Sequence, residues 1–311
     1  MGKTFHERRL DNIEFAANGT KTLELPRNNV YRALGIRLTG TCTTSAVAPV
    51  GKLAFTPYRL IKRIEIVANG KDTIKSIPGK FLRILNKHDF GVVPKETDIG
   101  IAANTAYAFE GYMILPFAFT RALRPIDGAI DARKLQTLDI RVTWGSVNDF
   151  YTTPNNAVLS DVVLELKTME YIGVEGEFKA LLNVHTEIQK EVNATTSELQ
   201  EKLPTEKIYR RFFLLTEVDG IASDAVLNKV KLKSGTMVFK DIDCDLLKGD
   251  MKFSSAIESL DTGVYVIELI TDGQLTEAIN TIGMSSFELI FDVTKQAGIN
   301  VIHIFPEVAE G

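Results

Sequence analysis

Cysteine is nearly absent: Cys42 and Cys244 are the only two in 311 residues. Two thiols so far apart in sequence build no disulfide framework and are too few for a cysteine-rich zinc site, so folding in a reducing compartment is the simplest inference. Histidine is scarce too, and His6, His88, His185 and His303 are dispersed, with no H-x-H or H-x-x-x-H pair among them. A shared metal site is therefore disfavoured against solvated or locally hydrogen-bonded histidines. No window approaches 18 consecutive apolar residues, and Met1 to Leu10 carries charges with no apolar stretch behind them. The chain is expected neither to span a membrane nor to be secreted by the usual route. An excess of one charge is missing as well: 36 Lys+Arg against 40 Asp+Glu leave a net charge of -4, which argues against direct nucleic-acid binding.

Catalytic fingerprints are equally lacking. His6-Glu7-Arg8-Arg9-Leu10 begins like a zincin helix but has Leu10 where the second histidine belongs. No G-x-S-x-G elbow, G-x-x-x-x-G-K-[ST] loop or G-x-G-x-x-G turn occurs. The expectation is a protein without enzymatic activity and without a cofactor.

What the sequence does hold is the composition of a folded protein, 45% hydrophobic and 24% charged. Alternating or β-branched segments recur from end to end. In the first half they include Tyr31 to Thr39, Leu60 to Val67, Tyr107 to Leu115, Leu138 to Trp144 and Val158 to Met169. In the second half they include Ile208 to Thr216, Val226 to Lys233, Val264 to Ile270, Phe287 to Thr294 and Asn300 to Phe305. Turn pairs such as Asn18-Gly19, Asn69-Gly70, Asp219-Gly220 and Ser234-Gly235 punctuate them. The best helical pattern is short, Gly79 to His88.

An internal repeat orders these segments. Leu25-Pro26 followed by Tyr31-Arg32 returns as Leu203-Pro204 followed by Tyr209-Arg210, a separation of 178 residues. Lys62 to Ile66 with Asn69-Gly70 is echoed by Asn228 to Leu232 with Ser234-Gly235, and Ala106 to Glu110 by Val264 to Glu268. The separation shrinks along the chain, as it does when loops change length and strands keep their order. Two similar all-β copies predict tandem eight-stranded jelly-roll sandwiches with short helices, residues 1–174 and 175–311, meeting near Gly173 to Phe178.

The opening Asn12 to Phe15, then Asn18-Gly19-Thr20 to Leu25-Pro26, the segment Ile64 to Gly70 before a short helix, the duplication and the length together carry a resemblance. The chain resembles the double jelly-roll major capsid proteins of tailless, membrane-containing icosahedral bacteriophages, the tectivirus and corticovirus type. The resemblance implies a homotrimer that forms a pseudo-hexameric capsomer, contacts with neighbouring capsomers and with penton or minor capsid proteins, and a lipid membrane beneath the shell. It also implies location in the virion after assembly in the host cytoplasm. The alternative is a tandem β-sandwich that binds carbohydrate or a receptor.

Few residues stand out as sites. Asp241, Asp243 and Asp245 alternate and would share one strand face, as an ion site requires, but Leu246 and Lys252 stand where an EF-hand loop needs Gly and Glu. An acidic turn leading into a helix N-terminus is the favoured reading. Glu110 and Glu268 occupy matching places and are read as outward-facing strand residues rather than an acid and base pair. Trp144, the only tryptophan, is read as core or subunit packing. The two sequons at Asn18 and Asn193 are read as turns. Lys3, Arg8 and Arg9 form a locally basic start: either a frayed end or an arm reaching toward anionic lipid headgroups.

Overall fold

A computed structural model describes residues 4–120, 126, 128–174, 182–255, 257, 259–270 and 277–310. The chain divides into two units, one running to Val184 and one covering His185–Glu310. The boundary expected at 174/175 abuts residues 175–181, which lie outside the described residues. In the strand Leu182–His185, Leu182 to Val184 belong to the first unit and His185 to the second.

The first unit contains β1 (Thr4–Arg9), β2 (Ile13–Glu14), β3 (Thr20–Glu24), β4 (Val30–Thr43), β5 (Ile61–Ala68) and β6 (Asp72–Ile77). Helix α1 (Gly79–Phe90), β7 (Ala106–Pro116), β8 (Leu138–Trp144) and β9 (Val158–Ile172) follow. One sheet runs β1-β9-β4-β7, with β2 continuing the β1 edge; the other runs β3-β8-β5-β6. Apart from the β1/β2 and β5/β6 pairs, consecutive strands alternate between sheets in the wrapped order of a jelly roll. The sequence period explains the faces: in β8, Leu138, Ile140, Val142 and Trp144 are buried, while Asp139, Arg141 and Thr143 are only partly covered. Trp144 belongs to the core, 1% exposed and edge-on to Phe15 at 5.4 Å.

The second unit repeats the plan. Its strands are β10 (Ile188–Glu191), β11 (Thr196–Lys202), β12 (Ile208–Val218), β13 (Leu227–Ser234) and β14 (Met237–Asp243). Helix α2 (Cys244–Ser255) precedes β15 (Val264–Glu268), β16 (Glu288–Val293) and β17 (Asn300–Glu310). The sheets run β10-β17-β12-β15 and β11-β16-β13-β14, the same order as in the first unit. Tyr209 stacks on Phe212 at 5.2 Å and meets Phe287 at 4.9 Å in the middle of this core.

The turns are those that the glycine pairs foretell. Asn69 and Gly70 have φ of 53° and 75°, and Asp219 and Gly220 have 51° and 78°, the doubly left-handed geometry that matches strand twist in a tight hairpin. Gly91, at φ 72°, ends α1 and returns its N–H to Lys87 O at 2.9 Å.

The repeated Leu-Pro and Tyr mark a latch. Tyr31 donates its hydroxyl proton to Pro26 O at 2.6 Å, and Tyr209 donates to Pro204 O at 2.7 Å. Burial raises both phenols far above their ordinary pKa, so each remains a donor at any physiological pH. Each latch fixes the corner between an edge strand and a central strand of the opposite sheet.

Candidate assembly surfaces

The acidic trio separates at the start of α2. Asp241 and Asp243 are exposed on β14, whereas Asp245 enters the first helical turn, where the helix dipole favours a carboxylate. Lys229 at 2.7 Å and Lys231 at 3.5 Å hold Asp241, and the Lys229 hydrogen bond keeps its carboxyl below the usual range. Among the described residues no group of three or more His, Cys, Asp or Glu is placed to hold a metal ion. The histidines each lie beside a carboxylate, as in His6 with Glu170 at 3.3 Å and His303 with Glu187 at 2.8 Å and Glu217 at 3.0 Å.

Lys3 lies outside the described residues, and the strand that follows it is tied down. All six residues of β1 pair with β9, from Thr4 opposite Ile172 to Arg9 opposite Lys167. Arg8 reaches buried Glu170 at 3.5 Å, and Arg9 reaches Glu165 at 3.0 Å. Thr168 donates to the same Glu170 at 3.1 Å.

Arg9 begins a charge ladder that crosses the outer face of the first sheet. Glu165 on β9 accepts from Arg9 and, at 3.1 Å, from Arg37 on β4; Arg37 in turn donates to Glu110 on β7 at 2.8 Å, which also binds Lys95 at 3.0 Å. Hydrogen bonds from Lys95 and then Arg37 hold the Glu110 carboxyl below the usual range. Glu110 therefore faces outward as the alternation predicts, while Glu268 lies 3.9 Å from Arg211 on β12. The ladder escaped the sequence reading because its paired members are 15 to 156 residues apart along the chain. Its sequence signal is charge alternating with apolar residues at period two.

The two helices occupy the same place in their units and differ in exposure. Every residue of α1 from Gly79 to Asp89 is buried. Asn86 pins it to β7, donating to Ile114 O and accepting from Ile114 N, each at 2.7 Å, and Arg83 meets Glu96 at 3.1 and 3.2 Å. In α2 the buried stripe is Cys244, Leu247 and Met251, but Leu246 is 63% and Phe253 93% exposed. Asp224 anchors the helix through Lys248 at 2.5 Å and the Gly263 N–H at 2.6 Å. Burial raises the Asp224 pKa, but these partners outweigh it and leave the group below its ordinary value. Apolar side chains therefore lie on both faces of α2, since Leu246 and Phe253, seven residues apart, fall off the core stripe.

No protein-family model matches the chain, and no curated protein matches it. Solved structures do match. The chain is similar to the STIV MCP with a TM-score of 0.81 at 15% identity, over 98% of this chain and 96% of that one. The chain has the double jelly-roll capsid fold. The same fold likeness extends to the major capsid protein P2 from bacteriophage PM2, with TM-score 0.65 and 13% identity over 98% of both chains. It extends also to the PBCV-1 virus capsid, with TM-score 0.69 and 10% identity over 100% of this chain and 95% of that one. At such identities the double jelly roll is shared through strand order and core pattern rather than through particular side chains. Among the described residues no helix is long and apolar enough to cross a membrane.

Proposed function

We propose that this chain is the major structural protein of an icosahedral virion shell, trimerising into pseudo-hexameric capsomers that tile over an internal lipid membrane. The observation that carries the reading is the repeated strand order: two jelly rolls in one chain, similar over 98% of it to capsid proteins. Three such chains present six similar lobes, so a closed threefold ring fits a near-hexagonal lattice. Cohesion then comes from buried apolar area at lateral contacts, about 25 cal/mol per Å² less the ordering costs of association. Penton or minor capsid proteins would fill the vertices, and assembly would take place in the host cytoplasm.

Within this reading the basic start is the membrane-facing element. Arg9 keeps 70% of its side chain exposed while bonded to Glu165, so its guanidinium still faces anionic headgroups, whereas Arg8 turns toward buried Glu170. The test of the function is the mass of the purified chain by light scattering, followed by negative-stain imaging. A species near three times 34.5 kDa with a hexagonal outline is the expected result. A strict monomer that never assembles overturns it and returns weight to a carbohydrate- or receptor-binding sandwich.

A further inference from the structure

The end of the first unit where β4 stops and β7 and β9 begin is short of charge. Leu38 to Gly51, Ile99 to Phe109 and Phe150 to Ser160 contain no Lys, Arg, Asp or Glu, in a chain that is 24% charged. Strand pairing brings the three runs together, since Thr43 at the end of β4 lies opposite Ala106 of β7 and Val158 of β9. Val47, Val50, Ile101 and Val158 stand out from the joined loops, each between 53% and 63% exposed. The carbonyls of these loops do not depend on water. Those of Ser45, Ala48, Val50, Gly100, Ala102 and Asn155 each accept a hydrogen bond at 2.5 to 2.9 Å, in that order from the Asn104 N–H, the Asn155 amide and the hydroxyls of Thr152, Tyr151, Thr44 and Ser45. Lys52 and Asp98 mark the edge of the neutral zone and pair with each other at 2.6 Å. The duplication did not impose this character, because the matching turns of the second unit carry Asp219, Asp224 and Lys295.

An exposed apolar patch is explained by what covers it, and two features here select the occupant. A protein partner tolerates charge around the rim of a contact, whereas hydrocarbon penalises every charge and every backbone group left without a bond. Loops that lack charge and bond their carbonyls among themselves meet the second demand. We propose that this end of the first unit dips into the interface of a phospholipid bilayer, with Val47, Val50, Ile101 and Val158 as the inserted side chains. The contact needs no anionic lipid, which separates it from the basic start. β1 begins at the other end of the sheet, where Thr4 lies opposite Ile172, and the 15 residues of β9 from Val158 to Ile172 span about 45 Å. Within the proposed shell, whose inner membrane faces the basic start, the uncharged end therefore points outward. The bilayer that it meets is then that of a cell outside the particle; this last step rests on the shell-building reading, and the insertion itself does not.

Flotation of the full chain with vesicles tests the proposal. The wild type is expected to float with uncharged phosphatidylcholine vesicles, and to do so equally at about 1 M salt, where electrostatic attraction acts over only about 3 Å. In Val47→Glu/Ile101→Glu the partition coefficient is expected to fall by about 10-fold or more, with circular dichroism and melting temperature unchanged because both positions are exposed. A wild-type chain that does not float with phosphatidylcholine, or that floats only with phosphatidylserine vesicles at low salt, overturns the insertion. A double variant that floats as well as the wild type overturns these loops as the site. None of these results touches the shell reading, which the mass and outline of the oligomer decide. If the variant fails to fold, Val47→Cys labelled with an environment-sensitive nitrobenzoxadiazole dye decides the matter, selectively because Cys42 and Cys244 are both buried. A brighter, blue-shifted emission on adding phosphatidylcholine vesicles supports insertion, and an emission that the vesicles leave unchanged overturns it.

Discussion

Glu170 on β9 and Glu307 on β17 lie on the last strand of their respective units, and neither carboxylate side chain is exposed at all. Their neutralising partners come from different parts of the fold. Glu307 is held by its neighbour strand β12, by Arg210 at 2.9 Å and by the Nε of Arg211, whose guanidinium also sits 4.9 Å over the Phe213 ring. Glu170 is approached from the edge strand β1, by Arg8 and His6, and by Thr168 of its own strand. Repeating a fold therefore conserves where a buried charge sits without conserving what balances it. A carboxylate balanced from a central strand has buried partners, Arg210 and Arg211 at 5% and 3% exposed, whereas one balanced from an edge strand has partners that reach water, Arg8 at 36% and His6 at 45%.

The largest test of that contrast removes each charge's partner. Glu307→Ala takes from Arg210 and Arg211, with side chains 5% and 3% exposed, the anion that they share. A loss of about 3–5 kcal/mol in unfolding free energy is expected by denaturant titration. Arg8→Ala uncovers Glu170 from the edge side, where the Arg8 side chain is 36% exposed and water can replace it. Its cost is expected to be smaller, about 1–2 kcal/mol. Equal losses from the two variants would show that strand position does not govern the balance.

Next in size are the latches, where the units should agree. Tyr31→Phe and Tyr209→Phe each delete one hydroxyl that donates to a proline carbonyl and leave ring packing in place. Each is expected to cost about 1 kcal/mol in the same titration. A clear difference between them would mean that the corners are not equivalent despite their matching geometry.

These latches also show what the sequence could and could not disclose. Leu25-Pro26 with Tyr31 was visible as a spacing that recurs at Leu203-Pro204 with Tyr209, because the latch is local: five residues separate donor and acceptor. The hairpins at Asn69-Gly70 and Asp219-Gly220 were legible for the same reason, since backbone sterics at one or two residues determine them. So was the alternation in β8 that sorts Leu138, Ile140 and Val142 from Asp139 and Arg141. The charge ladder, the Glu307 cluster and the bare face of α2 were not legible. They depend on which strands become neighbours, and period-two patterning says which face a residue takes without naming the residue across from it. The basic start illustrates the limit. Composition alone left Arg8 and Arg9 as a frayed end or a lipid-seeking arm, and only strand pairing with β9 shows both tied to carboxylates.

The smallest expected effect concerns acid, and it sharpens the comparison of a ladder of ion pairs with an anchor that also takes uncharged hydrogen bonds. Glu110 in the ladder and Asp224 beneath α2 both titrate below their ordinary values in the folded chain. A carboxylate depressed by folding contributes stability that is fully present above its unfolded pKa and is lost as pH falls toward the folded value. For Glu110 that loss begins below the ordinary value of 4.5, and for Asp224 below 3.8. Melting temperature is therefore expected to hold from pH 7 to about 5 and to decline below that. Glu110→Gln should flatten the upper part of the decline. The two contributions should also separate by salt, because Glu110 is held by two cations alone, Lys95 and Arg37, whereas Asp224, with 47% of its side chain exposed, also accepts uncharged hydrogen bonds from Tyr265 and the Gly263 amide. At about 1 M salt, where screening acts over about 3 Å, the Glu110 share should shrink while the Asp224 share persists. A decline that salt leaves wholly unchanged would indicate that the ladder contributes nothing and that Asp224, through its uncharged hydrogen bonds, alone carries the acid sensitivity.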